Sequence, residues 1–134
     1  MYIIIVGLGG IGRSLTAQAV EHGDNVVIID RNEQRCSDML EHYDVLAITG
    51  NSTDKATLED AGVDRTDALV ATTSDDSVNL MTCWLAKRYK VQNVVSIVNQ
   101  TGHSDLFKEV GVKISENPDE LVASRLYYWA KNPM

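Results

Sequence analysis

The stretch Tyr2-Ile3-Ile4-Ile5-Val6-Gly7-Leu8-Gly9-Gly10-Ile11-Gly12 decides the fold of this chain. It places the pattern G-x-G-x-x-G directly after an apolar strand, and the residues that follow have the spacing of a helix. A second apolar run then ends at Asp30, at about the 20-residue distance that such sites favour. The glycine pattern alone is common by chance, whereas strand, glycines, helix and acid in this order predict a phosphate-binding turn for a dinucleotide.

The three glycines of the pattern have separate predicted roles. Gly7 permits the tight turn out of the strand, Gly9 lets the backbone approach a pyrophosphate, and Gly12 lets the helix pack close to the strand. The free amide groups at the start of the helix add the positive end of the helix dipole. We therefore predict that a pyrophosphate binds against the loop residues Gly7, Leu8, Gly9, Gly10, Ile11 and Gly12.

Asp30 is predicted to select the ribose. Its carboxylate can accept hydrogen bonds from both hydroxyls of an adenosine ribose, and it repels a 2′-phosphate. NAD(H) is therefore favoured over NADP(H). The neighbouring Arg31 can soften that preference or stack on the adenine, and its alternative is a solvated place in the turn.

Length and composition limit the class of protein. The chain has 134 residues, 44% of them hydrophobic, which suffices for one domain with a real core. Its 19 acidic and 12 basic residues give a net charge of -7, which disfavours binding to nucleic acid or to anionic lipid. No apolar run approaches the roughly 18 residues that a membrane span needs. We expect a soluble cytosolic chain that does not insert into a membrane.

The cysteines and histidines predict no chemistry of their own. Cys36 and Cys83 have no C-x-x-C partner and are expected to be buried thiols in a reducing compartment. His22, His42 and His103 are far apart in the sequence, so we predict surface or capping histidines and no metal site.

Short apolar runs alternate with stretches of helical spacing six times along the chain. The runs predict strands near 2–6, 25–29, 45–48, 68–71, 94–98 and 112–115. The stretches between and after them predict helices near 10–22, 32–42, 54–61, 76–90, 103–109 and 118–131. This order predicts an α/β, doubly wound Rossmann fold, with a six-stranded parallel sheet of order 3-2-1-4-5-6 and helices on both faces. The ligand crevice then lies over the C-terminal ends of strands 1 and 4.

Short polar residues follow the predicted strands and border that crevice. Such residues also cap helices, and capping is the favoured role of Asp54, Ser74 and Asp75. Asn79, one turn into the fourth helix, can face the ligand or tie down the loop before it. Beyond the glycine loop and Asp30, the candidate ligand contacts are Arg31, Asn51, Ser52, Thr72, Thr73, Ser74 and Asn79.

Four further motifs carry a family resemblance. They are Gly50-Asn51-Ser52-Thr53, Leu58-Glu59-Asp60-Ala61-Gly62-Val63, Ala71-Thr72-Thr73-Ser74-Asp75-Asp76 and Asn79-Leu80-Met81. With these motifs the chain resembles, from end to end, the RCK/KTN family, specifically the N-terminal domain of Trk-type potassium-uptake regulators. The resemblance implies a cytosolic regulatory domain that binds NAD(H), or ATP and ADP in some members. It also implies a membrane-embedded potassium transporter or channel as partner, at the inner face of the cell membrane, and no catalysis.

Three positions bear on the ligand that the resemblance implies. The family commonly has Gly-Asp where this chain has Gly50-Asn51, and often an Arg in the fifth strand, where this chain reads Ser96-Ile97-Val98. Members that sense ATP tend to have Arg at the fourth position of the glycine loop, where this chain has Gly10. The last difference favours a dinucleotide over ATP.

The last predicted helix is expected to mediate assembly. It begins after Asn117 as N-cap, with Pro118 in its first turn. We expect one domain over residues 1–134, without the smaller C-terminal lobe that family chains usually have. The resemblance implies a homodimer or larger ring through this crossover helix, and the alternative is packing on the chain's own sheet. The apolar residues concerned are Leu121, Val122, Leu126, Tyr127 and Trp129.

A small NAD-dependent oxidoreductase is the competing hypothesis. Tyr127-x-x-x-Lys131, with Ser115 upstream, has the spacing of the acid–base pair in short-chain dehydrogenases. Those enzymes carry a different glycine pattern, and their helix follows the fifth strand, whereas this one follows the sixth. Six strand–helix units also leave no residues for a lid over a substrate.

Overall fold

The computed structural model of the chain describes residues 1–133, and it confirms the predicted Rossmann fold. Six parallel strands form one sheet in the order β3-β2-β1-β4-β5-β6. The strands are β1 Tyr2–Val6, β2 Asn25–Asp30, β3 Leu46–Thr49, β4 Ala68–Ala71, β5 Asn93–Val98 and β6 Lys113–Glu116. The helices are α1 Gly10–Glu21, α2 Glu33–His42, α3 Lys55–Asp60, α4 Asp76–Arg88, α5 Ser104–Val110 and α6 Pro118–Lys131, with a 3-10 turn at Thr101–His103.

The central strand β1 is apolar along its length because helices cover both faces of the sheet around it. Ile4 and Val6 pack into a core with residues of α3, α4 and α5, whereas Ile3 and Ile5 pack into a second core with α1 and α2. A strand buried on both sides has no polar alternation, which explains the continuous Ile and Val run in the sequence. Both cysteines are buried and unpaired in these cores, as predicted.

Several helix ends differ from the prediction by one residue, and the end of α4 differs by two. The helix predicted near 76–90 ends at Arg88, because Lys90 has φ 62° and the amide of Val91 bonds back to the carbonyl of Ala86. That closing turn usually takes glycine, so the sequence carries no sign of it. The fifth helix begins with its 3-10 turn and runs to Val110, where Gly111 has φ 83°.

One half of one sheet face is open. α1 and α2 cover the side of β3, β2 and β1, and beside α1 a groove of about 330 Å³ runs over β4, β5 and β6. Its apolar floor and rim are formed by Ile11, Leu15, Val70, Val95 and Ile97.

The helix α6 does not fill this groove. None of its residues is buried, and each of its large apolar side chains is more than half exposed, including Trp129 at 59%. Packing of α6 on its own sheet, the alternative raised above, is therefore wrong. Asn117 lies at the N-cap position, but its backbone is left-handed and its side chain donates to Thr101 instead of capping the helix.

Candidate functional site

A crevice of about 630 Å³ lies over the carboxyl ends of the strands, where the chain passes from β1 to α1. It lies at the point where the strand order reverses, which is where doubly wound folds bind their ligands. Most of the predicted site residues line it, namely Gly7, Leu8, Gly9, Gly10, Ile11, Asp30, Arg31, Asn51, Ser52, Thr72, Thr73 and Ser74. The predicted residues Gly12 and Asn79 lie behind this wall and not in it.

The glycine loop is shaped by close backbone packing. Gly7 has φ 98°, a conformation that residues with a side chain rarely adopt. A Cβ on Gly12 would lie 1.7 Å from the carbonyl oxygen of Gly7, so helix and strand can approach this closely only with glycine. A Cβ on Gly9 or Gly10 would meet nothing within 4 Å. The fold therefore requires Gly7 and Gly12, whereas Gly9 is left facing the crevice.

The carboxylate of Asp30 is bonded to the glycine loop. One oxygen accepts from the backbone N–H of Leu8 at 2.7 Å, and the other accepts from the N–H of Asn32 at 2.8 Å. Each carboxylate oxygen has a second lone pair, so two acceptor directions remain for a ligand. The acid thus fixes the loop and faces the crevice at the same time.

Thr72 holds the loop from the other side. Its hydroxyl is buried and donates to the carbonyl oxygens of Val6 and Gly7 at 2.9 and 3.0 Å. These bonds use the donor proton of the hydroxyl, so Thr72 can meet a ligand only as an acceptor. Its place in the crevice wall is that of a brace between β4 and the glycine loop.

Asn79 ties down the loop that follows β4, one of its two predicted roles. Its side chain is fully buried; its oxygen accepts from the N–H and hydroxyl of Thr73, and its NH2 donates to the carbonyl of Thr73. All these bonds go to Thr73, and Asn79 is not among the residues that line the crevice. Asp75 caps α4 as expected, accepting from the amides of Ser77 and Val78.

The residues after β3 also carry internal bonds. The hydroxyl of Ser52 is buried and lies 2.7 Å from that of Thr82 on α4. The side-chain oxygen of Asn51 accepts from the amide and hydroxyl of Thr53, which leaves its NH2 group for a ligand. Asn51 therefore keeps a donor at the crevice, whereas Ser52 serves mainly to join β3 to α4.

Some residues line the crevice that the sequence did not indicate, among them Arg35, Asn99, Pro118 and Asp119. Arg35 lies on α2, one turn beyond Arg31, and both arginines line the crevice together with Asp30. Helical spacing after Asn32 could have pointed to Arg35. Asn99 and the start of α6 enter the wall only through the tertiary fold.

A buried carboxylate lies behind the side of the crevice that Asn99 forms. Asp76, at the start of α4, accepts from the amides of Asn99 and Gln100, the side-chain NH2 of Asn99 and the imidazole of His103, at 2.8 to 3.0 Å. Burial by itself raises the pKa of Asp76, and these hydrogen bonds outweigh burial and lower its pKa below the ordinary value. His103 is thus bonded to Asp76, and its side chain is still 42% exposed, in keeping with the predicted surface position.

The residues of the oxidoreductase hypothesis do not lie at the crevice. Tyr127 and Lys131 lie on the exposed α6, outside the crevice wall, with the lysine ammonium 5.3 Å from the centre of the tyrosine ring. Within residues 1–133, no group of three or more His, Cys, Asp or Glu side chains is placed to hold a metal ion. Over the same residues, no helix has the length and apolar character of a membrane span.

The sequence is similar to a known domain family and to several potassium uptake proteins. A family model described as the TrkA-N domain matches residues 3–118. A Trk system potassium uptake protein TrkA homolog of Methanothermobacter thermautotrophicus is 33% identical over 126 residues, which are 94% of this chain and 58% of that protein. The chain thus spans less than two thirds of the length of this relative.

Solved structures share the fold. The TrkA-N domain of the inner membrane protein ybaL from Escherichia coli superposes with a TM-score of 0.85 at 16% identity, covering 95% of both chains. The GsuK channel bound to NAD superposes with a TM-score of 0.75 at 20% identity, over 84% of this chain and 21% of that one. The GsuK structure bound to ADP superposes with a TM-score of 0.76 at 20% identity, over 86% of this chain and 31% of that one. With the family model matching nearly all of its length, the chain belongs to the TrkA-N domain family.

Proposed function

We propose that this chain is an NAD(H)-binding regulatory domain that controls a potassium transporter or channel through a ligand-dependent change of conformation. The main support is the carboxylate of Asp30, which closes a complete glycine loop and keeps acceptor directions free for two ribose hydroxyls. The potassium partner is supported by the names of the relatives. This role places the chain in the cytoplasm, at the inner face of the membrane that holds the partner.

The proposed ligand pose follows from the two sides of the crevice. The adenosine lies at the end of β2, with its ribose on Asp30 and its base near Arg31 and Arg35. The pyrophosphate lies over Gly9 and Gly10, where the wall is free of side chains. ATP or ADP is the alternative ligand, and it would use the same half of the crevice.

Calorimetric titration of the purified chain tests the ligand. We expect saturable binding of NADH or NAD, weaker binding of NADPH because Asp30 repels its 2′-phosphate, and no oxidation of NADH over hours. The control is the same series with ATP and ADP. A preference for ATP would overturn the dinucleotide, and turnover of NADH would support the oxidoreductase instead.

The assembly role of α6 is part of the same proposal. Val122, Leu126 and Trp129 recur at i, i+4 and i+7 and form one apolar stripe that the chain itself leaves in solvent. The open groove beside α1 is apolar and lies on the half of the sheet that lacks a covering helix. We propose that α6 of a second copy packs in this groove, which makes a homodimer or a larger ring.

Charges on the stripe are expected to separate the copies. The double variant Val122→Asp/Leu126→Asp is expected to raise the dimer dissociation constant at least about 100-fold, since two carboxylates would be buried without partners. Analytical ultracentrifugation over a range of concentrations measures this. Ser124→Asp, on the opposite side of the helix, is the matched control and should leave the dimer intact. A dimer of unchanged affinity in the double variant would remove α6 from the interface.

A further inference from the structure

Asp76 begins α4 but does not cap it, because the capping bonds go to Asp75. It is 7% exposed, and all four of its bonds come from the segment of residues 99–103 that joins β5 to α5. None of them goes to its own helix. The carboxylate therefore acts as the anchor of this connecting segment.

The anchored segment forms one wall of the crevice through Asn99. The NH2 group of Asn99 donates to Asp76 at 2.9 Å and to the carbonyl oxygen of Thr73 at 3.1 Å. A carboxylate only accepts, so Asp76 forces the amide of Asn99 to present its NH2 inward. The side-chain oxygen of Asn99 makes neither of these bonds, and Asn99 lines the crevice.

This wall lies across the glycine loop from Asp30. In the order β3-β2-β1-β4-β5-β6, Asp30 ends β2 on one side of β1, whereas Thr73 and Asn99 follow β4 and β5 on the other. A dinucleotide bound at the switch point spans both sides, with its pyrophosphate over β1. Its second nucleoside therefore lies against Thr73 and Asn99.

We propose that Asp76 is a positioning residue that, through Asn99, holds an acceptor oxygen toward the second nucleoside of a bound dinucleotide. The oxygen suits the hydroxyls of a ribose or the NH2 of a carboxamide, both of which are donors. This inference rests on the dinucleotide proposed above. It adds the pair Asp76 and Asn99, which would contribute to the binding of a dinucleotide but not of a mononucleotide.

Titration of NADH and AMP against matched variants tests the pair. Asp76→Asn keeps the shape but sets an NH2 against donors, so the amide of Asn99 loses its fixed direction. We expect it to weaken NADH binding about tenfold and to leave AMP binding within about twofold, because AMP reaches only the Asp30 side. Asn99→Ala should give the same split. His103→Ala, which removes one donor and leaves both bonds to Asn99, is the control and should change neither ligand by more than about threefold.

The double variant Asp76→Asn/Asn99→Ala decides whether Asp76 acts through Asn99. We expect its loss of NADH affinity to equal that of Asn99→Ala, since the two changes remove one contact. Additive losses, or equal weakening of AMP and NADH, would overturn the proposal. If Asp76→Asn fails to fold, the split between NADH and AMP in Asn99→Ala carries the test. Wild-type protein that binds AMP but not NADH would instead refute the proposed function.

Discussion

Gly12→Val is expected to destabilise the fold strongly. Even the first carbon of the new side chain would lie 1.7 Å from the carbonyl oxygen of Gly7 and 2.8 Å from the hydroxyl of Thr72. Both are fixed, since one is backbone and the other is bonded to that backbone, so α1 must move away from β1. We expect a loss of about 3 to 5 kcal/mol in the free energy of unfolding, measured by urea titration.

Gly9→Val is the matched control for that variant. Its backbone, at φ -75°, accepts a side chain, and a Cβ there would meet no atom within 4 Å. We expect stability within about 1 kcal/mol of the wild type, together with a loss of NADH binding, because the side chain would occupy the place of the pyrophosphate. Equal stability losses in the two variants would contradict the different roles given to these glycines.

Asp30→Ala is expected to weaken NADH binding by roughly 1.5–3 kcal/mol, or about 10- to 150-fold. The variant loses the charged acceptor proposed for the ribose hydroxyls, and it also frees the amide of Leu8 that fixes the glycine loop. Calorimetry with NADH and NADPH measures the change.

The ratio of the two affinities separates these causes. If Asp30 repels a 2′-phosphate, the preference for NADH over NADPH should fall toward one in Asp30→Ala, whereas a loosened loop would weaken both ligands alike. Asp30→Asn keeps one acceptor oxygen and should be intermediate. Unchanged NADH affinity in folded Asp30→Ala would remove the ribose site from this residue.

The sheet order and the glycine loop could be predicted because they follow from local patterns. Continuous apolar runs, such as the one before Gly7, are typical of strands in a parallel sheet, and the regular alternation with helices leaves few topologies. The end of α4 could not be predicted, because Lys90 adopts a left-handed conformation that its residue type does not indicate.

Much of the crevice wall was likewise hidden from the sequence. Thr72, Ser52 and Asn79 have the residue types of ligand contacts, and only their tertiary partners reveal how much of their bonding capacity is already used. Asn99 and Asp119 reach the crevice from β5 and α6, far from any recognisable motif. Short polar residues after a strand therefore predict where a crevice lies better than they predict which atoms it offers.

The bracing of the glycine loop has a consequence for signalling. Asp30, Thr72 and the short helix–strand contact at Gly12 hold this loop in shape without any ligand. A ligand changes an equilibrium only through unequal affinity for its two states, and a loop with one shape offers equal affinity to both. In the regulation proposed above, the unequal affinity would therefore come from the opposite wall, where Pro118 and Asp119 bring the first turn of α6 to the crevice. The phosphates would then contribute most of the affinity, and the second nucleoside would contribute the difference in affinity between the two conformations.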